Sequence, residues 1–481
     1  MGDVGWTGVE LSEVEFGDER LNKRFLSMAK KIDEKPEASI PEVFESWGDT
    51  KAAYRFFDNE RVTPSAMLYP HAQQTVRRVQ EKETVLVIQD TSFFTYGHHK
   101  KTKGLGKFTG TTKTYGRKFE NTGIIMHTAY AIDTMGVPLG ILDQELFVRS
   151  PDNISRSTVP DFVRKMLPIE LKESVKWINP IQHISLLFPA SSTIKLVHVC
   201  DREGDFFDLF WTATDYEVSI LVRAGHDRVI GKPTRSKKTV NERLFERAKS
   251  QPELGYLEVE VQGNDKRKDR TARVAIRSGT FELFPSRHHP AATCDPPRRL
   301  SLYFVYVTEI EPPPGQEALE WLLITDLPSE TLESAVEKVK WYQKRFRIET
   351  FHKILKSGFR VQECRIATAN RLKKYLTFMS ILSWRIHWMT WISRTEPSMS
   401  AREILNSDEI DVLQSHFTKG QSVRGSPLTV AQALKQIAQL GGFLNRKSDG
   451  EPGPIVIWRG WTRLSDMTLG WKLNHSERTC G

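Results

Sequence analysis

TVLVIQD at residues 84–90 and IKLVHVCD at residues 194–201 decide the fold. Each is a short β-branched apolar run closed by a carboxylate, as a buried strand would be, so Asp90 and Asp201 each stand at the carboxyl end of a strand. Between them, IIMHTAYAI (124–132) and VPLGILDQELF (137–147) are two more strand candidates, separated by the turn signal DTMG at 133–136. LKESVKWINPIQHISLLF (171–188) has a helical texture and is expected to be interrupted near Pro180, which lacks the N–H a helix uses. GDFFDLFWTA (204–213) reads as a helix after the second run, and VSILVRA (218–224) completes a five-strand set. Three consecutive strands, then strands alternating with helices, predict an α/β fold with a mixed sheet covered by helices.

Outward from this core the texture changes twice. Between about Gly225 and Leu327 the chain is strand-rich, with YLEVEVQ, ARVAIRS, LSLYFVYVTEI and EWLLIT as strands and NERLFERAKS as the one good helix. Pro-rich breaks at DPPRR and EPPPG divide it, and the stretch is expected to be a β insertion. A long helix follows, about Thr331 to Ser357, and then a mostly helical carboxyl-terminal region. Residues 1–75 are helical and charged, and GDERLNKRFLSMAKKI (17–32) sets Arg20, Lys23, Arg24, Lys30 and Lys31 among Leu21, Phe25 and Met28. That pattern is an amphipathic helix with a cationic side, and an ordinary solvated helix has the same pattern. Three regions are expected: 1–75, a core over 76–365 with the insertion at about 225–327, and 366–481.

The 481 residues carry 39% hydrophobic and 10% aromatic side chains, ample for buried cores. Lys plus Arg number 69 against 60 Asp plus Glu, a formal +9 that favours a polyanionic partner. Cys200, Cys294, Cys364 and Cys480 form no CxxC pair and no dense framework, which speaks against structural zinc and a disulfide scaffold and for a cytoplasm. The amino terminus lacks the charged-then-apolar pattern of a signal peptide. YLTFMSILSWRIHWMTWI (375–392) contains Arg385 and His387 and is expected to be a buried or interface helix, with no membrane partner.

The chemistry rests on three carboxylates. If the strands ending in Asp90 and Asp201 are neighbours, about 4.8 Å apart, their carboxylates can share a divalent cation. Each Asp also fits a plain strand end or helix cap. Along WYQKRFRIETFHKILKSG (341–358), at 100° per residue from Tyr342, Arg345 falls at about −60°, Glu349 at −20°, Lys353 at +20° and Lys356 at −40°. Ile348, Phe351, Ile354 and Leu355 fall on the opposite side. One narrow face therefore holds a phenol, three cations and a carboxylate. Arg345 and Glu349 are equally a good i, i+4 pair on a solvated face. Combined, Glu349 completes a three-carboxylate cation site, with Arg345 and Lys356 placed to hold phosphate.

YQKRFRIETFHKILK has the spacing Y-(2)-R-(3)-E-(6)-K, and on it the chain resembles bacterial insertion-sequence transposases with an Asp-Asp-Glu active site. The likeness is to the insertion-sequence-four type and its transposon-five group. VIQDTSFFTYGH (87–98) and VCDREGD (199–205) resemble the two Asp segments of that family. KESVKW, QPELGY, RSG at Arg277, WLLIT, AYRFFDN at Ala53, LGGF at Leu440 and the tryptophans Trp458 and Trp461 match in the same order. The resemblance implies a ribonuclease-H-like catalytic domain, a DNA-end-binding head and a dimerising tail. It implies Mg2+, two ions per site with Mn2+ able to substitute, held by Asp90, Asp201 and Glu349. It implies end nicking, hairpin formation and opening, and strand transfer into target DNA by a homodimer.

By the same resemblance Tyr342, Arg345 and Lys356 hold phosphates, Arg223 contacts DNA, and Trp321 stacks a flipped base. Lys353, Arg20, Arg24, Tyr54 and Arg55 are further expected DNA contacts. Phe346 stands where the family has a second tryptophan. The Gly- and Lys-rich loop Gly97–Lys118, the basic segment Lys232–Lys238 and KRKDR at Lys266 are candidate backbone contacts, or exposed basic loops. A ribonuclease-H-like nuclease and a catalytically silent, transposase-derived DNA-binding protein are the alternative functions.

Overall fold

In the computed structural model the two Asp-bearing runs lie side by side, β1 (Thr84–Thr95) parallel to β5 (Lys195–Cys200). The structure describes residues 5–35, 39–44, 46–111, 118–149, 160, 163, 166–189, 191–230, 242–261, 269–286, 289–294, 298–418 and 427–478. Lys232–Lys238, Lys266 and Cys480 lie outside them, as does part of the Gly97–Lys118 segment. β5 pairs in parallel with β6 (Ser219–Arg223). On the other side β3 (Lys118–Asp133) runs antiparallel to β1 and to β4 (Pro138–Phe147). The order β4-β3-β1-β5-β6, in which β3 alone runs against the other four strands, is a ribonuclease-H-like core.

The expected β insertion does not stand apart from this sheet. β7 (Gly255–Val261), β8 (Arg270–Leu283), β9 (Leu300–Glu309) and β10 (Glu320–Thr325) form an antiparallel ribbon, and β10 pairs with β6. One ten-stranded mixed sheet results. The alternation of β7 leaves one face in water, whereas β10 is buried on both faces from Trp321 onward, as a central strand should be.

Four expectations need correcting. Asp90 does not end β1, because β3 pairs alongside it as far as Thr95, and only the parallel partner β5 stops near it. The segment expected as a loop after Asp90 contains β2 (Gly106–Thr111), paired with the start of β3. Pro180 sits inside an unbroken helix at Val175–Ser185, where it is buried. The long helix is four pieces: α-helix Leu332–Gln343, a 3-10 turn Lys344–Phe346, α-helix Arg347–Lys353 and a π turn Ile354–Gly358. Thr331 and Ser334 close a capping box at its start.

The head is α1 (Trp6–Glu10), α2 (Glu19–Glu34), α3 (Ile40–Phe44) and α4 (Trp47–Asp58), followed by α5 (Pro64–Gln80) against β4. Asp18 caps α2 by accepting from the Arg20 amide, and Phe25, Met28, Ala29 and Ile32 turn inward. Phe25 stacks on Phe56 of α4 at 6.0 Å and meets Phe378 edge-on at 5.7 Å. Phe378 belongs to the 27-residue helix Ala369–Thr395, which is buried on nearly every face between sheet, head and tail. Among the described residues, no helix is long and apolar enough to cross a membrane.

In the tail, helices Val430–Leu440 and Pro454–Arg478 cross at two glycines. A Cβ on Gly460 would lie 1.6 Å from the Ile437 carbonyl oxygen, and one on Gly441 1.9 Å from that of Val456. Backbone cannot yield as a flexible side chain does, so Gly460→Ala is expected to cost about 3 kcal/mol, the upper end for overpacking. Thermal unfolding checks this, and an unchanged midpoint would rule out the close crossing.

Candidate active site

Strand register brings the two aspartates together. Ile88 is the partner of Val199, so two residues on, Asp90 and Asp201 fall opposite each other on one face of the sheet. Asp201 has left the ladder and caps the 3-10 turn Arg202–Gly204, accepting from the Glu203 amide at 2.8 Å. Burial is the main force raising the Asp201 carboxyl above its ordinary value; the Glu203 amide opposes it and the Asp90 charge adds to it. Burial acts upward on Asp90 too, but His352 and Arg345 outweigh it and hold that carboxyl below the usual range.

The broken helix supplies the rest. Its apolar back, Ile348, Phe351, Ile354 and Leu355, is fully buried. On the front, Arg345 is only 7% exposed, with one guanidinium nitrogen 2.6 Å from Glu349 Oε1 and another 3.7 Å from Asp90 Oδ1. The guanidinium thus bridges two carboxylates on different elements. Burial works against its charge, and Tyr342, Asp90 and Glu349 together outweigh it. Glu349 itself is half-exposed.

His352 was not singled out from the sequence, yet its Nδ1 lies 3.5 Å from Asp90 Oδ2 and its Nε2 is buried without a partner. Three residues after Glu349, at about −80° on the helical projection, it falls beside Arg345, so the signal was there to find.

The other candidates divide. Tyr342 is 1% exposed and meets Trp321 edge-on at 5.4 Å; Trp321 is itself buried. Burial raises the Tyr342 phenol, against Arg345 and Arg223. Arg223 donates to the Glu320 carbonyl at 3.0 Å, and its charge faces the Tyr342 phenol. Lys356 lies 5.1 Å from the Phe94 ring centroid, its ammonium pKa lowered by burial against the pull of Asp90. Lys353 is exposed, and Phe346 stacks under the Arg345 guanidinium at 4.7 Å.

In the head, Arg20 pairs with Asp18 at 2.9 Å and Arg24 with Asp49 at 3.3 Å. Tyr54 lies 5.9 Å from the guanidinium of Arg371, and Arg55 is exposed. The sequence reading missed the outer stripe of α4, where Trp47, Lys51 and Arg55 recur every four residues and all face solvent. Trp47 is 78% exposed, an unusual position for so large an apolar ring.

Asp90, Asp201 and Glu349 offer hard oxygen donors of the kind Mg2+ or Mn2+ takes. Asp201 is raised chiefly by burial and further by the Asp90 charge, and a bound cation offsets both, so the donor set fits such an ion. Among the described residues no three His, Cys, Asp or Glu side chains are gathered closely enough to hold a metal as they stand, since Glu349 faces Arg345.

Comparison with known families agrees with this frame. Residues 3–62 match the transposase DNA-binding family model, residues 212–384 the transposase DDE domain and residues 381–481 the Tn5 transposase dimerisation domain. The DDE match contains Glu349 and begins after Asp201. Sheet order and matches together place the chain in the class of ribonuclease-H-like DDE transposases. Within that class it is a Tn5-like DDE transposase of insertion-sequence-four type, a DNA-binding protein with a dimerisation domain, from a family that depends on divalent metal.

Proposed function

We propose that the chain moves DNA by cut-and-paste transposition, with Asp90, Asp201 and Glu349 as the ligands of two Mg2+ ions. The observation that carries this reading is the register of Asp90 with Asp201, faced by the Arg345 bridge to Glu349. Bound divalent ions would polarise the scissile phosphate and lower the pKa of the attacking water or 3′-hydroxyl. Arg345 would hold a phosphate through its planar fork once Glu349 releases it, and Lys356 would add a point charge on the Asp90 side. The Tyr342 phenol, kept protonated by burial, serves as a donor to a phosphate oxygen.

Strand nicking, hairpin formation and opening, and strand transfer all run at this one site. Trp321 stacks a flipped base only if the Trp321–Tyr342 contact opens. Residues 1–75 bind the transposon ends, with Arg20, Arg24, Tyr54 and Arg55 toward DNA; residues 366–481 dimerise, so two protomers hold two ends. Such a protein works in a bacterial cytoplasm.

The test incubates the full chain with a duplex carrying the inverted repeats that flank its gene, with and without Mg2+. Nicks and hairpins at the repeat boundary that require the cation are expected. Binding with no cleavage in either Mg2+ or Mn2+ would instead favour a silent DNA-binding descendant.

A further inference from the structure

Gln89, next to Asp90, is completely buried directly after the apolar run Val85–Ile88, and a buried amide needs partners. It has two, one on each neighbouring strand. Its Nε2 donates to His198 Nδ1 of β5 at 2.9 Å, and its Oε1 accepts from His127 Nε2 of β3 at 3.0 Å. His127 Nδ1 in turn accepts from the Thr91 hydroxyl at 2.8 Å. The roles are forced in sequence, because an amide nitrogen only donates and an amide oxygen only accepts. Both imidazoles then carry their proton on Nε2 and are neutral; burial pushes both down to about 3.

The chain Thr91, His127, Gln89, His198 crosses β3, β1 and β5 on the face opposite Asp90. It ties together β1, which carries Asp90, and β5, which leads into Asp201, just past Ile88–Val199, the last pair of their ladder. Mg2+ demands near-ideal octahedral geometry at about 2.1 Å, so the separation of its ligands matters at the sub-ångström level.

We propose that Gln89 is a positioning residue, whose amide clamps β5, β1 and β3 from behind and so fixes the spacing of Asp90 and Asp201 for the divalent cation. The proposal rests on the cation-site reading above. Removing the clamp weakens cation binding about tenfold, as loss of supporting groups behind metal ligands commonly does.

The experiment titrates Mn2+ alone into the full chain by calorimetry, for the native protein, Gln89→Leu, Asp90→Asn and the triple variant Gln89→Leu, His127→Leu, His198→Leu. Thermal unfolding is followed beside it. Gln89→Leu strands two imidazoles and is expected to lose both stability and about tenfold in Mn2+ affinity. The triple variant replaces the buried amide and both imidazoles with apolar groups, leaving only the Thr91 hydroxyl; it should recover stability while Mn2+ affinity stays weak. Recovery of affinity along with stability would show packing alone, and overturns the proposal. So does unchanged affinity in Gln89→Leu when Asp90→Asn abolishes binding. Native Mn2+ binding that is indifferent to Asp90→Asn overturns the cation-site reading and the proposal with it.

Discussion

Glu349→Gln is expected to lower end cleavage at least about 10³-fold while end binding stays within about twofold, a change worth roughly 4 kcal/mol of barrier. That size suits the loss of one cation ligand, since a bound metal supplies several kcal/mol of transition-state stabilisation. Glutamine is chosen over alanine for a structural reason. Its amide oxygen still accepts the 2.6 Å bond from Arg345, so the buried guanidinium keeps its partner and the helix face its shape. Only the charge goes. Glu349→Ala should be equally inactive but less stable, because it leaves Arg345, 7% exposed, with Asp90 alone at 3.7 Å. Gel assays of strand nicking, with binding by mobility shift, separate the effects. If glutamine keeps activity and alanine loses it, Glu349 serves by holding Arg345, and the three-carboxylate reading fails.

The core was legible because its strands are β-branched apolar runs of strand length, and parallel strands buried on both faces must read that way. That the two Asp-bearing strands are neighbours stood only as a condition for a shared cation, and the parallel pairing of β1 with β5 meets it. The polar and apolar faces of the helix around Glu349 were also visible, since Ile348, Phe351, Ile354 and Leu355 repeat at helical spacing.

What stayed hidden depends on neighbours distant in sequence. A 3-10 turn at Lys344–Phe346 and a π turn after Ile354 are tertiary adjustments with no local signature. The continuation of β1 past Asp90 depends on β3, which lies thirty residues away in the chain and offers backbone partners up to Gly123. Pro180 was read as a breaker, but the helix runs on through it while its ring is buried. His352 and Gln89 were readable in principle: one falls beside Arg345 on the projection, the other is a polar residue in an apolar strand. Neither is one of the carboxylates or helix-face cations that mark the site.

Arg385→Met is expected to destabilise the protein by about 3–5 kcal/mol at pH 8, the usual cost of removing one partner from a buried charge cluster. Arg385 is fully inside the long buried helix, its guanidinium 5.2 Å from the Trp6 ring and 4.6 Å from the Trp388 ring, donating to the Ile404 carbonyl at 3.0 Å. Its charge faces Asp33 of α2, which accepts from Trp6 Nε1 at 2.7 Å, and Glu409 in helix Ser407–Thr418. One cation thereby joins the DNA-binding head, the core and the tail. Burial raises Asp33 to about 6 and Glu409 to about 7 even with Arg385 opposing it.

Those raised values set the pH dependence. In the unfolded chain the two carboxyls lose their protons near their ordinary values of 3.8 and 4.5, and in the fold only near 6 and 7. Between these limits the folded state holds more protons, so their stabilising contribution is present at low pH and is lost as pH rises. Without Arg385 the folded values move higher still. The penalty of Arg385→Met should therefore shrink at pH 5, where both carboxyls are largely protonated, and be largest at pH 8. Denaturant unfolding of the native chain and the variant at both pH values measures it, each pair compared at one pH so that other titrating groups cancel. Adding Asp33→Asn and Glu409→Gln to Arg385→Met should restore most of the loss at pH 8. A penalty independent of pH, or no rescue, would mean that Arg385 acts through its stacking on Trp6 and Trp388 and that its charge holds nothing together.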